Sequence, residues 1–104
     1  MLIETIESLK YEVIEISEDI YIGGKDISRY ISACFYSLGK EKEIKIIARG
    51  NNVKRALDVL AILVRDYIDN PEYEIKVGSE PFEKRNVTTI EIILSGTKKS
   101  SINK

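Results

Sequence analysis

Between residues 44 and 68 the spacing of apolar side chains changes period. Ile44, Ile46, Ile47 and Ala48 form a run of strand length and largely β-branched character, which predicts a buried strand. From Val53 onward apolar side chains recur at Val53, Ala56, Leu57, Leu60, Ala61, Leu63, Val64, Tyr67 and Ile68. Steps of three and four residues place them on one broad face of a helix about four turns long. Gly50 lets the chain turn sharply between the two elements, and Asn51 and Asn52 stand where side-chain acceptors commonly cap the first helical N–H groups.

The flanking segments have their own patterns. Leu2, Ile6, Leu9, Val13 and Ile16 fit an amphipathic helical stripe, although Tyr11 to Ile16 also reads as a strand. Ile20 to Ile22 predicts a short strand closed by Gly23 and Gly24, with Lys25 exposed on the turn. Asp26 then caps a helix whose buried face is Ile27, Tyr30, Ile31, Cys34, Phe35 and Leu38, and Gly39 takes the usual C-terminal stop position. Asp69, Asn70 and Pro71 break the long helix. Tyr73, Ile75 and Val77 alternate with Glu74 and Lys76 as in a half-exposed strand, and a partner strand runs from about Val87 to Leu94. Between them GSEPFEKRN makes a hairpin tip, and residues 96–104 read as a polar, basic, frayed tail.

The element order is therefore β-α-β-α-β-β, an α/β (α+β two-layer) fold with a mixed sheet and two helices. The expected divisions are an amphipathic acidic extension over residues 1–19, a domain over 20–95 and the tail over 96–104. Right-handed crossovers bring the two strand-to-helix turns to the same end of the sheet, with the helices on one face or shared between both.

Charge sharpens this picture. The 104 residues sum to −1, yet residues 1–20 hold Lys10 against six carboxylates, and residues 21–104 carry fifteen cations against eleven anions. A basic body follows an acidic leader. The chain has no histidine and a single cysteine, Cys34, on an apolar helical face, which disfavours metal sites and excludes histidine triads. Carboxylates are scattered without a persuasive paired spacing, so no catalytic residue, cofactor or small-molecule substrate is expected. No apolar run is long enough for a bilayer and no signal-peptide pattern opens the chain, which predicts a cytoplasmic protein without membrane contact.

The candidate chemistry lies at the turns. Unpaired N–H groups and the positive end of a helix dipole meet Arg49, Lys54 and Arg55 at the second turn, a combination that favours phosphate. The turn of Gly23, Gly24 and Lys25 lies beside it by topology, and Lys84 and Arg85 crown the hairpin. Sequence-tolerant contact with a polynucleotide backbone is one reading. The other is a protein-interaction module in which the acidic leader covers the basic turns.

Three pieces of the chain, IGGKDISRY, IIARGNNVKRALD and IKVGSEPFEKRNVTTIEI, together resemble the Alba family of small archaeal chromatin and RNA-binding proteins over most of residues 20–95. The resemblance implies a homodimer, or a heterodimer with a paralogue, that binds double-stranded DNA or RNA and is nucleoid-associated. It implies a nucleic-acid surface built from Gly24, Lys25, Arg49, Gly50, Asn51, Asn52, Lys54 and Arg55, with Lys84 and Arg85 on reaching arms. Lys25 is similar to the second lysine of the family's pair, Arg49 to its turn arginine, and Tyr67 to an aromatic residue used in dimer-to-dimer contacts. Gly24 stands where the family's first lysine would be and Asn51 where an arginine is common, so both departures subtract positive charge.

Overall fold

The computed structural model describes residues 19–40 and 42–99. The acidic leader and the last five residues, on which two of the sequence readings fall, lie outside them. Strand β1 spans Asp19–Tyr21, helix α1 Ile27–Lys40 and strand β2 Glu43–Arg49. A 3₁₀ turn, Gly50–Asn52, leads into helix α2, which is α-helical over Val53–Ile62 and π-helical over Leu63–Tyr67. Strands β3, Ile68–Phe82, and β4, Arg85–Lys98, complete the chain.

The sheet order is β1-β2-β4-β3. Strand β1 runs parallel to β2, and β4 is antiparallel to both β2 and β3. Alternation decides which face is covered. Ile44, Ile46 and Ala48 of β2 pair with Leu94, Ile92 and Ile90 of β4, and all six are buried. Tyr30, Ile31, Cys34 and Leu38 from α1 join Ala56, Val59, Leu60 and Leu63 from α2 in the same cluster. Both helices therefore lie on one face of the sheet, and Lys45, Ile47 and Arg49 point to the other.

The helices stop short of β3. Tyr73, Ile75 and Val77 pair with Leu94, Ile92 and Ile90 and so share the helix-covered face, yet they remain 51%, 39% and 71% exposed. An apolar stripe is left open along the sheet edge.

Four local expectations are corrected. Gly39 does not end α1, which continues through Lys40. Its missing Cβ instead makes room for Lys98, whose Nζ lies 4.5 Å from the centre of the Phe35 ring. Asn52 makes no side-chain cap, and the N–H of Val53 turns back to the Gly50 carbonyl. The long helix ends at Tyr67, before Asp69, Asn70 and Pro71; these residues mark a bulge inside β3, where the register shifts between Asp69 and Glu72 and Asn70 has φ 52°. Finally, β4 reaches Lys98, so residues 96–98 are strand, with Thr97 and Lys98 paired to Asp69 and Ile68.

The expected hairpin loop is also largely strand. Phe82 pairs with Arg85, leaving Glu83 and Lys84 as a two-residue turn with Glu83 at φ 57°. Among the described residues no helix is long and apolar enough to cross a membrane.

Candidate nucleic-acid interface

Two strand-to-helix turns meet at one end of the sheet, as the crossover topology requires. Ile22 still donates its N–H to the Ile47 carbonyl at 2.9 Å, and the chain then leaves β1 through Gly23, Gly24 and Lys25. The N–H groups of Gly23 and Lys25 donate to the Tyr30 hydroxyl at 2.8 and 3.1 Å. A Cβ on Gly23 would lie 3.3 Å from that hydroxyl, a close approach that glycine eases. Burial alone pushes the Tyr30 phenol up, but the two N–H donors and the charges of Arg55 and Lys25 outweigh it and hold the group below its ordinary value.

The second turn is joined to the first through one side chain. Arg55, in the first turn of α2, donates from Nε to the Gly23 carbonyl at 2.9 Å and from Nη2 to the Lys25 carbonyl. The loop is thus gripped by Tyr30 on its N–H groups and by Arg55 on its carbonyls. Arg55 was expected as a phosphate contact, and its guanidinium here serves the loop.

Other expected cations are partly committed as well. Arg49 Nη1 lies 2.6 Å from Glu80 Oε2, reaching across β4 toward β3. Gly78 and Thr89 lie in the row between, where a Cβ on Gly78 would sit 2.9 Å from the threonine hydroxyl. Lys54 pairs with Asp58 one turn along α2 at 3.1 Å. Lys25, Lys84 and Arg85 form no ion pair among the described residues.

Gly50 has φ 61°, a conformation that favours glycine, and it folds the 3₁₀ turn that exposes Asn51 and half-exposes Asn52. Gly24 differs, because a Cβ there would meet nothing within 4 Å. A larger residue would fit at that position.

Strand β2 ends at Arg49 opposite Thr89, so residues 79–88 project past it. Arg85 lies four residues farther along β4 than Thr89, roughly 13 Å of strand. Lys84 and Arg85 thus stand away from the turns but on the same end of the molecule. Tyr67 packs its ring against Phe35 in an edge-on contact, 5.6 Å between centres and 68° between planes.

Sequence reasoning did not anticipate Tyr30 or Glu80 as parts of this arrangement. Tyr30 was read as core, and nothing in its spacing marks the hydroxyl as an acceptor for a loop. Glu80 could be found only by counting the hairpin register, which brings it diagonally across from Arg49.

A family model described as Alba matches residues 18–80, more than half of the chain. The DNA/RNA-binding protein Alba of Nitrosopumilus maritimus is 38% identical over an alignment 86 positions long that covers 75% of this chain and 90% of that protein. The DNA/RNA-binding protein Alba 1 of Archaeoglobus fulgidus is 29% identical over an alignment 82 positions long that covers 73% of this chain and 92% of that one. Among solved structures, Alba from Thermoplasma volcanium aligns with a TM-score of 0.57 at 28% identity over 74% of this chain and 98% of its own. The crystal structure of ALBA1 from Trypanosoma brucei shares the fold with a TM-score of 0.68, at 17% identity over 83% of this chain and 73% of its own.

Proposed function

From the premise that this chain belongs to the Alba family, we propose that it is a sequence-tolerant nucleic-acid-binding protein that holds the sugar–phosphate backbone of double-stranded DNA or RNA. The observation that carries the reading is the joining of the two turns by Arg55, which sets Lys25 beside the Arg49–Asn52 turn at one end of the sheet. Lys25, Arg49 and Lys54, the exposed turn at Gly50 and Asn51, and the projecting Lys84 and Arg85 form a cationic surface suited to phosphates. Sequence tolerance follows because on a duplex these groups meet phosphates, which carry no sequence information. That the relatives are DNA/RNA-binding proteins supports binding itself over a purely protein-interacting role, and no catalytic step is assigned.

The binding unit is a dimer of identical chains. The stripe of Tyr73, Ile75 and Val77 is an apolar surface that a second copy covers. Action on chromosomal DNA or on cellular RNA places the protein in the cytoplasm, associated with the nucleoid when DNA is the ligand.

Titration against duplex DNA over a range of salt concentrations, with the oligomer mass measured alongside, tests the reading. Neutralising about four to six phosphates per dimer gives a log–log salt slope of roughly −4 to −5. A slope near zero at measurable affinity removes the backbone from the mechanism.

A further inference from the structure

Backbone binding leaves exposed aromatic residues without a role, and one of them, Tyr21, stands beside the turns. Tyr21 ends β1 with its ring 67% exposed, and its pairing with Ile47 puts it on the face of the sheet opposite the helices. Arg49, Thr89 and Glu80 share that face by register. Together with Asn52 and the chain at Ile22, Ile47 and Ala48 they line a cleft of about 490 Å³ at the end of β1 and β2, within the ~300–1,000 Å³ of small-ligand sites.

The chemistry of this cleft differs from that of the turns. An aromatic ring offers a stacking surface, which every base can use. The rim offers a guanidinium, a carboxylate, an amide and a hydroxyl, so donors and acceptors are both present for the edge of a heterocycle. We propose that the cleft takes one unpaired nucleobase of a single-stranded stretch, stacked on Tyr21 with its edge toward Arg49, Glu80, Asn52 and Thr89. The proposal rests on the nucleic-acid reading above and adds a second mode to it. A base paired inside a duplex cannot enter, so the ligand is single-stranded DNA or RNA, including loops and bulges. Its flanking phosphates lie toward Lys25 and the Gly50 turn.

The test uses the full chain with a single strand of about twelve nucleotides carrying one internal 2-aminopurine, and with the matching duplex. Wild-type protein is expected to quench the probe in the single strand. Tyr21→Ala is expected to lower single-strand affinity roughly tenfold, in the range measured for removal of one base–aromatic stack. It is expected to abolish the quench and leave duplex affinity unchanged, whereas Tyr21→Trp keeps all three properties. Absence of a quench with bound wild type, or an equal loss on both ligands in Tyr21→Ala, overturns the base site. Tight duplex binding without single-strand binding also overturns it and leaves the backbone reading standing, whereas binding to neither polymer removes both. Competition by free adenosine monophosphate at concentrations matching the strand overturns a polynucleotide as the source of the base.

Discussion

Arg55 donates a hydrogen bond to the carbonyl oxygen of Gly23 at 2.9 Å across thirty-two residues of sequence, and so fixes the distance between the two turns that form the cationic end of the molecule. Its second donor reaches Lys25, while Tyr30 accepts from the N–H groups of the same two loop residues. Arg55→Lys keeps the charge but loses the planar fork that serves two carbonyls. It is expected to lower unfolding free energy by about 1–2 kcal/mol and to weaken nucleic-acid binding despite unchanged net charge. Tyr30→Phe is expected to weaken binding in the same direction, and the double variant to lose less than the two single losses combined. Denaturant unfolding and duplex titration of the four proteins measure this. Full binding by Arg55→Lys would return Arg55 to the role of a simple phosphate contact.

The open space at Gly24 leads to a gain-of-function prediction. A side chain there meets no neighbour, so Gly24→Lys adds a cation beside Lys25 without repacking. Duplex affinity should rise, and the salt slope should steepen by roughly 0.9 for each added phosphate contact, or about 2 per dimer. Paired titrations of parent and variant at several ionic strengths read the change directly.

Glu80 holds the turn arginine at 2.6 Å, with both side chains substantially exposed. A phosphate approaching Arg49 competes with that carboxylate. Glu80→Gln removes the internal anion and should tighten duplex binding by roughly two- to fivefold, because exposed ion pairs contribute only about 0.2–1 kcal/mol. Stability should change by less than about 0.5 kcal/mol for the same reason. Unchanged affinity would mean that phosphate does not engage Arg49.

The stripe on β3 supplies the prediction for assembly. Val77 is 71% exposed in the isolated chain, so a charge there is compatible with the monomer fold but not with an apolar contact between copies. Val77→Glu should shift the measured mass from dimer to monomer at micromolar concentration with the circular dichroism spectrum retained. A parent that is monomeric at that concentration would remove the dimer from the mechanism.

Cys34 gives a pH prediction. Burial raises its thiol from the ordinary 9.0 to about 12. Between those values the unfolded chain has released the proton while the folded chain retains it, so this group makes stability fall as pH rises from about 9 to about 12. Below pH 9 both states are protonated and it contributes no pH dependence. Cys34→Ala should flatten that part of the stability curve, and the native parent should resist thiol reagents at pH 8 until it unfolds.

The order of elements and the position of the turns were legible in the sequence because they follow from periodicity and connection rules. The switch from alternate to helical spacing at Ala48 and Val53 marks a real boundary. What periodicity does not carry is the destination of a polar side chain. Asn52 and Gly39 sit at positions that usually cap or stop helices, but a 3₁₀ turn and the passage of Lys98 decide their local roles. Arg49, Lys54 and Arg55 look equivalent as cations along the chain. Only three-dimensional register separates one held by Glu80, one by Asp58 and one by loop carbonyls.

The bulge in β3 also constrains how copies can associate. This strand is one margin of the sheet, and Pro71 with the shifted register near Asn70 interrupts the regular row of outward N–H donors. Pro81 removes another donor near the far end, and among the described residues the opposite margin is three residues long. Ladder pairing between copies along this margin is thereby confined to the stretch between Pro71 and Pro81, and contacts beyond it fall to side-chain surfaces.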